Sequence, residues 1–212
     1  MEELNQAWVM LKLGGPIIIP LSLLAIIALA IMIEKAFVFW RFARLSNELS
    51  NLIETYGFKW KDLEKILSGL DDRHYYKRFF DVVISNKHQP SWWIESRAAD
   101  EAQLIETALA RRLWMLETIV TAAPLLGLVG TVIGMMSAFQ VIGSDGIVNP
   151  TAVTGGVAEA LIATVVGLII ALVALFGFNY FSRLLSQTMD EMERPGTRLI
   201  DHIRLDQKEE AH

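Results

Sequence analysis

Cysteine is absent from this chain of 212 residues. That excludes disulfides, thiolate catalysis and thiolate metal sites. Histidine is scarce: His74, His88, His202 and His212 stand apart, with no ligand-like spacing. No Ser-His-Asp set and no metal motif can be assembled. Gly155-Gly156 opens a helix but no phosphate-binding lysine follows it. We therefore expect no metal, no cofactor and no enzymatic activity. A dense basic patch is also missing, and the formal net charge is −5. Both argue against a nucleic-acid partner. There is no fixed-period repeat and no low-complexity segment, and a second folded domain is not expected.

What the chain has instead is long stretches without charge. Hydrophobic residues make up 53% and charged residues 20%, against ordinary values of roughly 45–50% and 25%. No charged side chain occurs in residues 13–33, 118–144 or 160–182, runs of 21, 27 and 23. A membrane span needs about 20 apolar residues, so all three qualify. The first run is not a secretion signal. Glu2 and Glu3 outweigh Lys12 before it, and Glu34, Lys35 and aromatics follow it in place of a small-residue cleavage site.

Of 19 Lys and Arg, 18 lie between the first and second runs or after the third. The positive-inside rule then puts the N-terminus and the 145–158 loop outside, and residues 41–116 and the C-terminus in the cytoplasm. Trp8, Trp40 and Trp114 fall near the expected interfaces. The expected layout is an outer segment 1–15, a first span 16–40, a cytoplasmic helical region 41–116 and a second span 117–143. A short outer loop 144–154, a third span 155–182 and a cytoplasmic extension and tail 183–212 follow.

Within 41–116, apolar residues recur every three to four positions in Asn47 to Tyr56, Trp60 to Leu67 and Tyr75 to Ser85. Gly57, Gly69 with Asp71 and Asp72, and Pro90 punctuate them. Ser91 is placed to cap a new helix. No Pro or Gly intervenes from Trp92 until Pro124, so one unbroken helix is expected from 91 to 143. The third helix should run on to Glu193 and stop at Arg194-Pro195-Gly196. The polar residues Asp206 to His212 should be disordered. The fold class is an all-α membrane protein of three transmembrane helices, the second and third extended into the cytoplasm.

The spans differ in texture. The first, rich in Ile, Leu and Ala, suits lipid. The second carries small residues on one sector: Ala123, Gly127, Gly130, Thr131, Gly134 and Ala138. The third has a looser stripe with Gly156, Ala160, Ala163, Thr164, Gly167, Ala171 and Ala174. Small residues let helix backbones approach closely in lipid, so these stripes should serve either plain packing or the lining of a narrow central space between subunits. Thr131 and Thr164 lie mid-span, where a hydroxyl either bonds back to its own helix or faces a polar path. Glu159 is the carboxylate set inside an apolar helical pattern. It is either functional or an anion favoured by the helix N-terminus. Pro124 frees a carbonyl in the second span.

The sequences AAPLLGLVGTVIGMMSAF (122–139) and GGVAEALIATVVGLIIALVALFGFN (155–179) resemble the two signature spans of the MotA/TolQ/ExbB proton-channel family. The three-span layout resembles the ExbB/TolQ branch. The resemblance implies a pentameric ring around the single transmembrane helices of an ExbD/TolR-like partner. That partner's Asp would carry the proton, because this chain has no titrating group in mid-membrane. It implies a bacterial inner-membrane location and delivery of work to a TonB- or TolA-like periplasmic effector. Thr131 and Thr164 match the family's pore threonines, Glu159 its third-span glutamate and Pro124 its second-span proline. Gly127, Gly130, Gly134, Ala160, Ala163 and Gly167 fall in the pore or packing stripes. Val173 stands where the family commonly has proline. A flagellar or gliding motor stator of the same family and a passive membrane scaffold are the alternatives. The absence of a mid-span carboxylate favours H⁺ over Na⁺.

Overall fold

The computed structural model describes residues 15–44, 49, 52, 59–144 and 150–210; the side chains of 141–144, 150–153 and 208–210 fall outside the description. The segment 1–14 with Trp8, most of the expected helix Asn47 to Tyr56, Gly57 and most of the 144–154 loop also lie outside the described residues. The described residues form helices α1 (Ile18–Phe42), α2 (Trp60–Ser68), α3 (Tyr75–Ser85), α4 (Ser91–Ala110), α5 (Leu113–Ser144) and α6 (Pro150–Glu210). Three helical stretches, Ile18–Phe42, Ser91–Gln140 and Thr154–Gln207, are long and apolar enough to cross a membrane. The chain is a multi-pass membrane protein.

The chain divides into two compact units. One comprises the described residues up to Met32 together with Arg112–Tyr180. The other comprises Ile33–Arg111 and the chain from Phe181 onward.

In the first unit, α1 begins just after Gly15, whose φ of +67° only glycine adopts freely. Pro20 sits in the first turn, where a missing N–H costs nothing. One face of α1 is buried through Leu21, Ala28 and Ile31, while Ile19, Leu23, Ile26 and Leu29 are exposed. The small stripes of α5 and α6 meet each other inside one chain. A Cβ on Gly134 would lie 2.8 Å from Ala160 Cβ, and one on Gly156 2.8 Å from Ala138 Cβ. A Cβ on Gly167 would lie 2.5 Å from the Ala123 carbonyl oxygen. The stripes are thus used in the α5–α6 contact. The exposed side of α5 carries Leu125, Leu128, Val132 and Met136, and that of α6 carries Leu161, Val165, Leu168 and Leu172.

In the second unit, residues at three-to-four spacing supply the core: Leu63 and Leu67 of α2, and Tyr76, Phe79, Phe80 and Val83 of α3. Ile94, Ala98, Ile105 and Leu109 of α4 join Phe181, Met192, Leu199 and Ile203 of α6. Buried Tyr76 donates its hydroxyl to Glu191 Oε2 at 2.8 Å. The Gly69–Asp72 punctuation becomes a turn in which Asp71 accepts from the Arg73 amide at 2.9 Å and from the His74 amide at 2.8 Å.

Four local expectations are corrected. The helix from 91 to 143 is broken at Arg111–Arg112, and Arg112 takes a φ of +67°. No Pro or Gly announces this break. The Leu109 carbonyl, which an unbroken helix would pair with the Leu113 amide, accepts instead from the buried Lys35 ammonium at 2.7 Å. A lysine there also meets the negative end of the helix dipole. Secondly, α6 does not stop at Arg194-Pro195-Gly196 but continues to Glu210. An interior proline costs about 3 kcal/mol. Burial of Leu199, Ile200 and Ile203 beyond it returns about 1.5–3 kcal/mol each, which exceeds that cost. Gly196 helps, since a Cβ there would lie 2.8 Å from the Phe79 ring. Thirdly, Ser91 is the first helical residue, and Pro90 precedes it without a side-chain cap. Finally, Asp206 to Glu210 are helical. Trp60 Nε1 donates to Asp206 at 2.9 Å, and Gln207 donates to the Gln89 carbonyl at 2.9 Å.

Candidate functional site

The two mid-span threonines sit beside the α5–α6 seam. At 100° per residue, Thr131 lies about 60° from the centre of the small stripe on α5, and Thr164 about 60° from that on α6. Because the two spans run in opposite directions, equal rotations bring both threonines to the same side of the seam. Thr164 Oγ1 donates to the Gly127 carbonyl at 2.9 Å, a bond between the two helices. Thr131, one turn beyond Gly127, donates to the Leu128 carbonyl of its own helix at 2.6 Å. The two hydroxyls therefore differ in depth by about one turn. Thr164 is level with Gly127, and Thr131 lies about 6 Å further along the axis.

These bonds decide what the hydroxyls can offer. A hydroxyl has one proton and two acceptor lone pairs. In both threonines the proton is committed to a backbone carbonyl. Each oxygen therefore presents lone pairs only. It can accept from a protonated carboxyl or solvate a cation, but it has no proton free for a carboxylate. The structure leaves both hydroxyls as acceptors.

Gly127, Gly130, Gly134, Ala160, Ala163 and Gly167 support this arrangement. A Cβ on Gly127 would lie 2.9 Å from Thr164 Cα and 3.0 Å from the Ala163 carbonyl. A Cβ on Gly130 would lie 2.6 Å from Ala163 Cβ and 3.3 Å from Ile17 Cγ2. Any larger residue would push the seam apart and carry Thr164 off its carbonyl. Pro124 is inside α5, one turn before Leu128. Its missing amide leaves the Val120 carbonyl without its helical donor.

Glu159 is not part of this group. It is about 140° from Thr164 around α6. Its carboxylate packs against Gly15, so closely that a Cβ there would collide with it. Gly15 lies in the turn that leads into α1, so the carboxylate stands near the positive end of that helix. Thr131 and Thr164 thus lie about one turn apart beside the seam, and Glu159 lies against Gly15. Sequence reasoning missed the line Glu117, Thr118 and Thr121, all exposed and on the same side of α5 as Pro124, Leu128 and Thr131. Their spacing of three to four residues was the available signal. Val173 is exposed on α6. Among the described residues, no three His, Asp or Glu side chains converge as a metal site.

Away from the spans, His74 is buried and its Nδ1 has no hydrogen-bond partner. Burial, and then the nearby Arg41, hold this imidazole below its ordinary range.

The model of the MotA/TolQ/ExbB proton channel family matches residues 68–194. An ExbB-like biopolymer transport protein of Synechocystis sp. is 33% identical over 81% of this chain and 82% of its own length. The biopolymer transport protein ExbB of Aquifex aeolicus is 39% identical over 44% of this chain and 62% of its own length. The Tol-Pal system protein TolQ of Haemophilus influenzae is 30% identical over 85% of each.

Proposed function

The chain belongs to the ExbB/TolQ branch of the MotA/TolQ/ExbB proton channel family, and from that membership we propose that it is the ring-forming subunit of an inner-membrane, proton-driven motor. In this reading five copies surround the single helices of an ExbD/TolR-like partner. The motor converts proton motive force into work on a TonB- or TolA-type periplasmic effector. The N-terminus and the 145–158 loop face the periplasm, where basic residues are missing, and residues 41–116 and the C-terminus face the cytoplasm.

The observation that carries the proposal is the pair of half-buried lone-pair acceptors, Thr131 and Thr164, on one side of the α5–α6 seam. A channel built from this chain alone lacks a mid-membrane group that holds a proton at neutral pH. The partner's Asp supplies it. When that Asp is protonated, its O–H donates to the threonine oxygens, which lets the neutral form enter the narrow interior. Each charge that crosses releases about 2.3 kcal/mol per 100 mV. The chain itself performs no covalent chemistry.

The test is proton flux in vesicles that contain the chain and its partner. Thr131→Val removes only the hydroxyl and should lower flux at least about tenfold, equivalent to about 1.4 kcal/mol, with assembly intact. Thr164→Ser, which keeps the hydroxyl, should retain flux where Thr164→Val loses it. Full flux in both Val variants would make these residues structural and overturn the reading.

A further inference from the structure

Between α4 and α6 of the second unit lies a groove of about 540 Å³. Ala99 and Ala102 are among its lining residues, as are the carboxylates Glu95, Glu106 and Glu193. No basic residue is among its lining. Glu95 is matched by Arg204. Glu106 and Glu193 have no ion-pair partner among the described residues. The opposite imbalance lies on the same helix. Arg194 and Arg198 are exposed on α6 and likewise have no ion-pair partner among the described residues. They project roughly 120–150° around the helix axis from the side that lines the groove.

We propose that this groove seats a second copy of the chain, which inserts the Arg194–Arg198 edge of its own α6 between the carboxylates. The proposal rests on the ring assembly above and names its contact outside the membrane. A groove on one side and a ridge on another make a head-to-tail contact, the kind that closes into a ring. Rotation about a ring axis running along the helices leaves each residue at its own height. Arg194 and Arg198 occupy the same turns of α6 as Glu193 and Gly196, so a neighbour's arginines arrive level with the groove. Guanidinium groups suit the task because they meet carboxylates in bidentate pairs. The short side chains of Ala99 and Ala102 leave space for their stems.

The chain's lack of cysteine makes a clean test. The full chain, co-expressed with its partner, carries Ala99→Cys in the groove and Arg198→Cys on the ridge, and membranes are treated with a short bis-maleimide. The double variant should give a ladder of adducts beyond the dimer, and each single variant should stay monomeric on a denaturing gel. An absent ladder with an oligomeric native mass overturns this contact and leaves the ring reading standing. A monomeric native mass overturns both. As a second arm, Arg194→Glu with Arg198→Glu should shift at least 90% of the complex to monomer. Adding Glu106→Arg and Glu193→Arg should restore the oligomer. An oligomer unaffected by the first pair of changes counts against the charge pairing.

Discussion

A threonine in a membrane helix commonly bonds to its own backbone, and Thr131 does so. What distinguishes Thr164 is that its acceptor, the Gly127 carbonyl, belongs to the facing helix. The side chain therefore couples packing to polarity, so Thr164→Val should reduce yield somewhat in addition to flux, whereas Thr131→Val should not. His74 carries a pH dependence with a definite sign. Its folded-state pKa lies below the ordinary value of about 6.5, so the folded protein resists protonation that the unfolded chain accepts. Stability is then complete above that value and declines as pH falls through it. Arg41, on α1, opposes protonation, whereas a hydrogen bond to the Arg44 backbone and then Asp71, in the turn before α3, favour it. Thermal unfolding in detergent should shift downward between pH 7.5 and 5.5, and His74→Gln should remove the part due to this residue. An unchanged pH slope in that variant would refute the assignment.

At the scale of elements, the seam between α5 and α6 depends on backbone approach. Gly167→Ala puts a Cβ 2.5 Å from the Ala123 carbonyl oxygen and 3.2 Å from Gly127 Cα. Neither is a flexible side-chain end that can swing away. The cost should be about 1–3 kcal/mol, read as a lower melting temperature and reduced oligomer. Gly155→Ala, with nothing within 4 Å, should be silent. The break between α4 and α5 makes a second prediction. Lys35→Met keeps the aliphatic stem and removes the donor to Leu109. It should cost about 1–3 kcal/mol, the penalty for a buried polar group left without that bond. A melting temperature equal to wild type would show that the Leu109 carbonyl is satisfied without Lys35.

These elements also show what a sequence can disclose. The segment Tyr75 to Ser85 was legible to the residue, because its periodicity, the Asp71-Asp72 turn and its aromatic face all agree. The two spans were legible in their small-residue stripes. Where those stripes pack was not, since a stripe specifies close approach but not which helix approaches. The break at Arg111–Arg112 had no local signal. It depends on Lys35, 74 residues away, reaching the Leu109 carbonyl. Pro195-Gly196 gave a strong local stop signal that packing of Leu199, Ile200 and Ile203 overrides. The direction in which the Thr164 proton points is likewise a tertiary fact, because Gly127 is 37 residues from Thr164.

At the scale of the whole molecule, the chain holds polar acceptors in its spans but no mid-membrane carboxylate, and its one carboxylate within the third span pattern, Glu159, is packed at the start of α1. In the proposed reading, that division of labour leaves the titrating group to the partner. Glu159→Gln should therefore leave flux within about twofold of wild type while loosening the α1 contact. The most direct measurement is proton uptake by energised vesicles containing the chain alone, the chain with its single-span partner, and the chain with a partner whose membrane Asp is replaced by Asn. The account predicts uptake only in the second case, with the other two at the background of empty vesicles. Uptake by the chain alone, or undiminished uptake with the Asn partner, would contradict it.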